Sequence, residues 1–401
     1  MSVGGLSKER LARVGEVMGG YVERDEVPGV VTLIARGGEV HAGAAGTMAA
    51  GGSDPIRRDT LFRVTSMTKP VTAVAAMILV EECRLRLDEP VDRLLPELSG
   101  RRVLRRLDGP VEDTVPATRP ITVRDLLTFT MGFGAILAPP GTYPIQKASE
   151  KLSLAPPDPP TSDEWIRRLG TLPLMHQPGE KWMYSTSADV LGVLIARASG
   201  QPFETFLRER LFEPLDMTDT SFAVPAVKLG RLAAAYWPDP ATGALAPDDS
   251  HQGRWSRPPA FPSGAGDPQA GLISTVDDYL AFAQMLQAGG IHRGQRILSR
   301  PSVETMTTDQ LTPAQKAVSG FWPGYFDSRG WGFGLSVVTR RDHPAAPVGT
   351  FGWDGGWGTI WRSDPHEDMI TILMTQVAWT SPNPPNICLD FWTTAYRAID
   401  D

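Results

Sequence analysis

The feature that most constrains this chain is a proline at the head of a long apolar run. Pro70 is followed by ten residues, 71–80, drawn almost entirely from Val, Ala, Met, Ile and Leu. Proline is tolerated in a helix only within the first turn, where backbone N–H groups have no intrahelical partner. The sequence therefore predicts a helix that begins close to Ser66 and continues through the apolar run.

The tetrapeptide Ser66-Met67-Thr68-Lys69 stands at the start of this helix. Helical residues three apart share a face, so Ser66 and Lys69 should point the same way. A serine hydroxyl is a weak nucleophile until a neighbour takes its proton, and a lysine whose pKa is lowered by partial burial can do so. The helix N-terminus adds N–H groups suited to a developing oxyanion. The pattern predicts a nucleophile–base pair, although a motif this short also arises by chance.

Composition narrows the class of protein. The chain has 401 residues, of which 41% are hydrophobic and 21% charged, and its net charge is −7. This length predicts two domains, or one domain with a large insertion. The acidic balance, with arginines spread along the chain, argues against a nucleic-acid-binding face.

The chain carries no recognisable membrane or export signal. Its longest apolar run is too short and too rich in alanine to span a bilayer, and residues 1–13 hold no apolar core of a secretory signal. We therefore expect a cytoplasmic protein with no membrane partner. Its two cysteines, Cys83 and Cys388, are then expected to be reduced thiols rather than a disulfide.

The pattern of helices and strands changes twice along the chain. Residues 1–85 and 265–401 mix amphipathic helices with β-rich runs, whereas residues 86–264 are rich in proline and in short helical stretches, with a Pro-rich loop at 138–162. An α+β domain built from both chain ends, with an antiparallel sheet flanked by helices and a mainly helical domain inserted between, fits best. A site at the join is expected, because pockets favour domain interfaces.

Further motifs lie downstream in a fixed order. Tyr184-Ser185-Thr186 follows a Pro-Gly-Glu-Lys-Trp-Met segment, and a glycine-rich run occupies residues 352–358. With these motifs the chain resembles the serine β-lactamase and penicillin-binding protein superfamily, and more narrowly the class C-like family VIII carboxylesterases and their acyltransferase relatives. The resemblance spans most of the chain and rests on the segments at 66–69, 87–91, 121–127, 178–185, 212–217 and 271–275.

The resemblance implies a β-lactamase-like fold and a second proton carrier. In the family, the position of Tyr184 holds a tyrosine that acts as general base or acid. Free tyrosine titrates near pKa ~10, so we expect the Lys69 ammonium to favour the phenolate, which then accepts the Ser66 proton. Packing beside Trp182 is the alternative for Tyr184. Thr186 stands where β-lactamases usually have asparagine, which weakens the case for β-lactam or peptide turnover and leaves esters open.

The glycine-rich run corresponds to the Lys-Thr-Gly strand of β-lactamases, with Trp353 in place of the lysine. The esterase branch often has W-x-G here, so Trp353 and Gly355 are expected to bind substrate. The backbone N–H of Gly356, together with that of Ser66, is the expected oxyanion hole. A glycine-rich turn with Trp353 as packing is the alternative, and both can hold.

Weaker signals complete the expected site. Phe133 and Trp357 are candidates for an apolar acyl pocket, although buried aromatic residues are more often core. Six scattered histidines show no metal-ligand spacing, so neither a metal site nor a cofactor is expected. They are His41, His176, His251, His292, His343 and His366.

Together these observations predict a serine carboxylesterase that acts on short-to-medium acyl esters of a small-molecule substrate through an acyl-enzyme on Ser66. The same machinery would serve an acyltransferase, or a β-lactamase or D-peptidase acting on amides. An inactive ligand-binding homologue is the alternative of another class. The sequence does not indicate an oligomeric state.

Overall fold

The computed structural model describes residues 2–154, 160–239, 241–248, 255–266 and 270–401. Part of the Pro-rich loop expected at 138–162 lies outside the described residues, and so does His251.

The described residues form strands that are mostly short. In chain order they are β1 Ser2–Val3, β2 Leu6–Ser7, β3 Gly29–Arg36, β4 Glu39–Gly46, β5 Phe62–Thr65, β6 Arg102–Leu104, β7 Thr114–Pro116, β8 Tyr236–Pro238, β9 Leu245–Pro247, β10 Leu272–Ser274, β11 Ile291–His292, β12 Gln295–Arg296, β13 Arg329–Trp331, β14 Ser336–Val338, β15 Phe351–Gly355, β16 Thr359–Asp364 and β17 Met369–Thr375.

The α-helices alternate with these strands near both chain ends and predominate between them. They are α1 Lys8–Glu23, α2 Thr68–Glu81, α3 Val123–Leu127, α4 Pro144–Lys151, α5 Ser162–Thr171, α6 Thr186–Ser199, α7 Phe203–Leu207, α8 Val276–Gln287, α9 Arg300–Met306, α10 Pro313–Ala317 and α11 Asn386–Arg397.

Seven strands from both ends of the chain form one antiparallel sheet in the order β13-β14-β15-β16-β17-β3-β4. Alternate residues of β3 face opposite sides of this sheet. Val30 and Ile34 pack with α1 and α11, whereas Val31 and Leu33 belong to the larger core that includes α2 and α8. Helices on both faces of an antiparallel sheet confirm the predicted fold.

Five of the helices, α3 to α7, lie within residues 86–264. Helix α6 packs against α2, and their apolar side chains belong to one hydrophobic core. The inserted segment is therefore closely joined to the helix that carries Lys69. The division into residues 1–85 with 265–401 and residues 86–264 stays a prediction.

Strands β13 and β14 form a short antiparallel pair. Strand β14 covers only Ser336–Val338, and β13 precedes it as a separate antiparallel partner. Gly334 lies between them with φ +71°, a left-handed conformation that glycine adopts without strain and that ends an extended run.

Helix α2 is buried along nearly its whole length, from Thr68 to Leu79. Ser66 lies in a tight turn just ahead of it, and its carbonyl accepts a hydrogen bond from the Lys69 N–H at 3.1 Å. The preceding Thr65 has φ +39°, an unusual value for a β-branched residue. The sharp turn from β5 into α2 therefore places Ser66 at the N-terminal end of α2.

The chain at Gly334 lies directly against this helix. A Cβ added to Gly334 would lie 2.9 Å from the Lys69 carbonyl oxygen and 2.9 Å from Ala73 Cβ. Gly349 also has positive φ, +92°, but a Cβ there would meet nothing within 4 Å. A substitution at Gly349 therefore measures the cost of a side chain at positive φ alone. A substitution at Gly334 adds the cost of steric overlap with α2.

We expect Gly334→Ala to lower the free energy of unfolding by about 2–4 kcal/mol, since it adds steric overlap to the left-handed backbone cost. The control Gly349→Ala carries the backbone cost alone and should lose about 1 kcal/mol. Urea unfolding followed by circular dichroism measures both. Equal losses in the two variants would contradict the close approach of Gly334 to α2.

Candidate active site

The side chains of Ser66 and Lys69 meet at the start of α2. Lys69 Nζ lies 2.8 Å from Ser66 Oγ, and the two residues are 1% and 5% exposed. The Lys69 amine also donates a hydrogen bond to the backbone carbonyl of Ala265. A buried amine needs such polar partners, because desolvation without them is costly. The contact places a proton carrier directly on the serine hydroxyl.

Tyr184 completes a three-residue cluster. Lys69 Nζ lies 4.3 Å from the centroid of its ring. Burial raises the pKa of the Tyr184 phenol above its ordinary value, and the opposing hydrogen bonds from Ser66 and Trp353 only partly offset this. Desolvation is the largest of these contributions, so burial opposes the phenolate that a nearby ammonium was expected to favour. The role of Tyr184 as general base or acid stays a prediction.

Trp353 packs against Tyr184, with 5.6 Å between ring centroids. Its indole Nε1–H donates a hydrogen bond to the Tyr184 hydroxyl at 2.8 Å. Its ring meets Trp331 at 4.6 Å between centroids in an edge-to-face arrangement. Trp353 therefore contacts Tyr184, the expected second proton carrier, directly. The sequence motif, in which Trp353 replaces a lysine, did not indicate this contact.

The two expected oxyanion donors line one cavity. Ser66 and Gly356 both border it. Within the described part of the chain, the backbone N–H groups of these two residues have no hydrogen-bond partner. Gly355 lets β15 approach β5, since a Cβ there would lie 2.4 Å from the Val64 carbonyl oxygen. Two unpartnered amides beside a nucleophile are the arrangement that an oxyanion hole requires.

Asp189 supports the cluster from α6, a role that sequence reasoning missed. Its buried carboxylate accepts hydrogen bonds from Ser263 Oγ at 2.6 Å and from the Gly266 N–H at 3.1 Å. These two residues flank Ala265, whose carbonyl accepts from Lys69. Asp189 therefore holds the backbone that positions the lysine amine. Only the tertiary contact reveals this, because Asp189 and Ser263 are 74 residues apart.

The cavity has a volume of about 650 Å³, and most of its exposed wall is apolar. Aromatic side chains form much of that wall, namely Tyr184, Phe321, Trp322, Tyr325, Trp353, Trp379 and Trp392. Phe321, Trp322 and Tyr325 were missed from the sequence. The dense aromatic segment Phe321-Trp322-Pro323-Gly324-Tyr325-Phe326 was the signal that could have indicated them.

Four expected substrate-binding residues do not border this cavity, and one of them is Gly355, which packs β15 against β5. Phe133 is buried in the main hydrophobic core. Trp357 packs with Ala235 and Ala378 and meets Trp237 at 5.0 Å. Thr186 is the first residue of α6 and does not border the cavity. These positions correct the expected pocket, since proximity in sequence to a motif does not decide which way a side chain points.

Other site types find no support in the described residues. No group of three or more His, Cys, Asp or Glu side chains among them could hold a metal ion. None of the helices in the described ranges is long and apolar enough to cross a membrane. Cys83 is exposed and Cys388 is buried, and both are free thiols.

Comparison with known proteins identifies the family. The Beta-lactamase family model matches residues 14–384. The chain belongs to the beta-lactamase family. Within it, esterase EstB of Burkholderia gladioli is 31% identical over 93% of this chain and 92% of that protein. Protein Rv1367c of Mycobacterium tuberculosis is 41% identical over 80% of this chain and 79% of that protein.

Solved structures share the fold of this chain. The chain matches EstCE1, described as a hydrolase with promiscuous acyltransferase activity, at 25% identity and a TM-score of 0.77 over 97% of this chain and 99% of that chain. Simvastatin synthase LovD of Aspergillus terreus matches in fold, with 24% identity and a TM-score of 0.79 over 97% of this chain and 98% of that chain. The protein is thus a serine hydrolase related to β-lactamases, of the esterase and acyltransferase branch.

We expect Asp189→Ala to lower kcat on an activated ester at least about 10-fold with little change in KM, since a charge-assisted hydrogen bond that holds the Ala265 segment is lost. Asp189→Asn, which keeps an acceptor oxygen, should recover part of the rate. Asp278→Ala is the matched control, because Asp278 is also buried and bonds a loop, at Asp219 and Thr220, away from the cavity. Equal kcat in the Asp189 and Asp278 variants would contradict the positioning role.

Proposed function

We propose that this enzyme is a serine carboxylesterase that hydrolyses short-to-medium acyl esters through an acyl-enzyme on Ser66. The observation that carries the proposal is the contact of Lys69 Nζ with Ser66 Oγ at 2.8 Å, beside Tyr184 and at the edge of an apolar cavity. A nucleophile in hydrogen-bond reach of a proton carrier, itself oriented by a third group, is the arrangement of covalent catalysis.

Acylation follows from these contacts. Ser66 Oγ attacks the ester carbonyl while its proton passes to the Lys69–Tyr184 pair. The backbone N–H groups of Ser66 and Gly356 bind the oxyanion that develops. The Lys69–Tyr184 pair then returns the proton to the leaving alkoxide, so the alcohol departs and the acyl group stays on Ser66. Water, activated by the same pair, attacks the acyl-enzyme and releases the acid.

The preference for esters over β-lactams rests on what surrounds the nucleophile. Trp353 replaces the cation that would bind a β-lactam carboxylate, and its N–H is already engaged by Tyr184 at 2.8 Å. The apolar, aromatic cavity wall suits an acyl chain. The similarity to esterase EstB supports the same preference.

Acyl transfer is the second candidate, favoured by a specific feature of the site. A second cavity of about 430 Å³ shares Tyr184, Phe321, Trp322 and Leu137 with the first. An acceptor alcohol bound there would lie beside Tyr184, one of the two proposed proton carriers. Monacolin J acid methylbutanoyltransferase of Aspergillus terreus is 27% identical over 86% of this chain and 83% of that protein.

The two-domain division and a cytoplasmic location also stay proposals.

We expect Ser66→Ala to lower kcat/KM for 4-nitrophenyl butyrate by at least about 10³-fold, since the acyl-enzyme can no longer form. Ser336→Ala is the control, because Ser336 lines the same cavity and is similarly buried. Intact-protein mass spectrometry after a fluorophosphonate should show one adduct on the wild type and none on Ser66→Ala. A label on another serine, or full turnover by Ser66→Ala, would refute the proposal.

Trp353→Phe removes the N–H that stabilises the Tyr184 phenolate. The Tyr184 oxygen then loses a buried hydrogen-bond donor, and we expect kcat on 4-nitrophenyl butyrate to fall about 10-fold. The control is Trp331→Phe, since that buried indole contacts Trp353 but its N–H has no partner in the described residues. Equal kcat values in Trp353→Phe and Trp331→Phe would contradict a role for this hydrogen bond.

A further inference from the structure

The active-site cavity is lined by two arginines with different surroundings. Arg362 donates to both carboxylate oxygens of Asp354, at 2.5 and 2.8 Å, and its guanidinium lies 4.7 Å from the Trp392 ring. A fork-to-fork pair of this kind neutralises the cation and occupies its donors. Arg362 is therefore satisfied without a ligand.

Arg329 has no such partner. It lies on β13, half-buried, with its guanidinium 5.6 Å from the centroid of the Tyr325 ring. Among the described residues, no hydrogen bond or ion pair is made by this side chain. Asp342, which also lines the cavity, instead accepts a hydrogen bond from Ser328 Oγ at 2.5 Å. Five N–H donors on Arg329 are thus held at the cavity wall without an acceptor.

Contacts between rings place Arg329 away from the nucleophile. Tyr325, which Arg329 faces, meets Phe321 at 5.1 Å, and Phe321 meets Tyr184 at 5.1 Å between centroids. The guanidinium is therefore linked to Tyr184, beside Ser66, through the contacts of two aromatic rings. A group bound by Arg329 would lie at the distal end of a substrate, separated from the scissile ester by an apolar stretch.

We propose that Arg329 binds a carboxylate at the far end of the substrate, so that the preferred esters carry an anionic terminus across an apolar chain. This rests on the proposed esterase function and names its substrate class. A planar carboxylate matches the guanidinium fork. Arg362 already pairs with Asp354, so of the two lining arginines only Arg329 lacks a carboxylate partner. One such cation, with the Asp342 carboxylate also lining the cavity, suits a monoanion better than a phosphate.

The test compares 4-nitrophenyl hexanoate with mono-4-nitrophenyl adipate, which have the same chain length and differ in the terminal carboxylate. The measured quantity is the ratio of kcat/KM for adipate to that for hexanoate. Arg329→Gln should lower this ratio roughly 10- to 100-fold, as expected for a lost hydrogen bond to a charged group. Arg329→Lys, which keeps the charge but not the fork, should give an intermediate ratio.

Arg341→Gln is the matched control, because Arg341 is exposed, is close in sequence and does not line the cavity. It should leave the ratio at the wild-type value. A second substrate pair, 6-butyryloxyhexanoate and hexyl butyrate followed by pH-stat, places the carboxylate on the alcohol side. A lower ratio in Arg329→Gln for one substrate pair only supports the proposal, and it shows whether the carboxylate belongs to the acyl or the alcohol part of the ester. An unchanged ratio in Arg329→Gln for both pairs would overturn it.

The outcome is separable from that of the esterase proposal. Suppose that 4-nitrophenyl hexanoate is hydrolysed in a Ser66-dependent way but that Arg329→Gln leaves both kcat/KM ratios unchanged. The carboxylate site is then refuted, whereas the esterase proposal is retained. If no ester is hydrolysed, calorimetric titration of Ser66→Ala with mono-4-nitrophenyl adipate tests the carboxylate site by binding alone. Binding about 10-fold weaker in the Ser66→Ala, Arg329→Gln double variant supports the site, and equal binding overturns it.

Discussion

The structure around the nucleophile depends on the burial of one amine. Lys69 is 1% exposed, so its Nζ must find all its partners inside the protein. Ser66 Oγ and the Ala265 carbonyl provide two of them. Asp189 of α6 holds the segment at 263–266 through Ser263 and Gly266, and the Ala265 carbonyl of that segment accepts from the lysine amine. The contacts that satisfy Lys69 are therefore the ones that hold its amine against the serine hydroxyl.

Burial sets the state of the second proton carrier as well. The aromatic cluster around Tyr184 excludes water and raises the pKa of the phenol, whereas the Trp353 N–H lowers it. Trp353 thus serves two purposes, since it replaces a cation that would select anionic β-lactams and supplies a neutral donor to the phenol oxygen. A neutral donor leaves the cavity beside Ser66 apolar, which suits the acyl chain of an ester.

Much of the fold was predictable because it depends on local chemistry. Pro70 and the apolar run indicated α2, which begins at Thr68, and the Thr122 and Thr275 side chains cap α3 and α8. The wall of the cavity was not predictable. Phe133 was a candidate for the acyl pocket but is buried in the core, whereas Phe321 and Tyr325 come from a segment with no recognised motif. Side-chain direction in loops is set by packing, which periodicity does not encode.

By itself, the sequence determined the chemistry. The three-residue spacing of Ser66 and Lys69 at a predicted helix start indicated that their side chains meet, and the structure places Lys69 Nζ 2.8 Å from Ser66 Oγ. Only the tertiary structure decided which distant groups complete the site. Asp189 approaches Ser263, Trp353 approaches Tyr184, and Arg329 faces the cavity without a counter-ion, since these contacts join segments far apart in the chain. Long-range contacts of this kind arise from how the sheet and helices pack, and no local pattern specifies them.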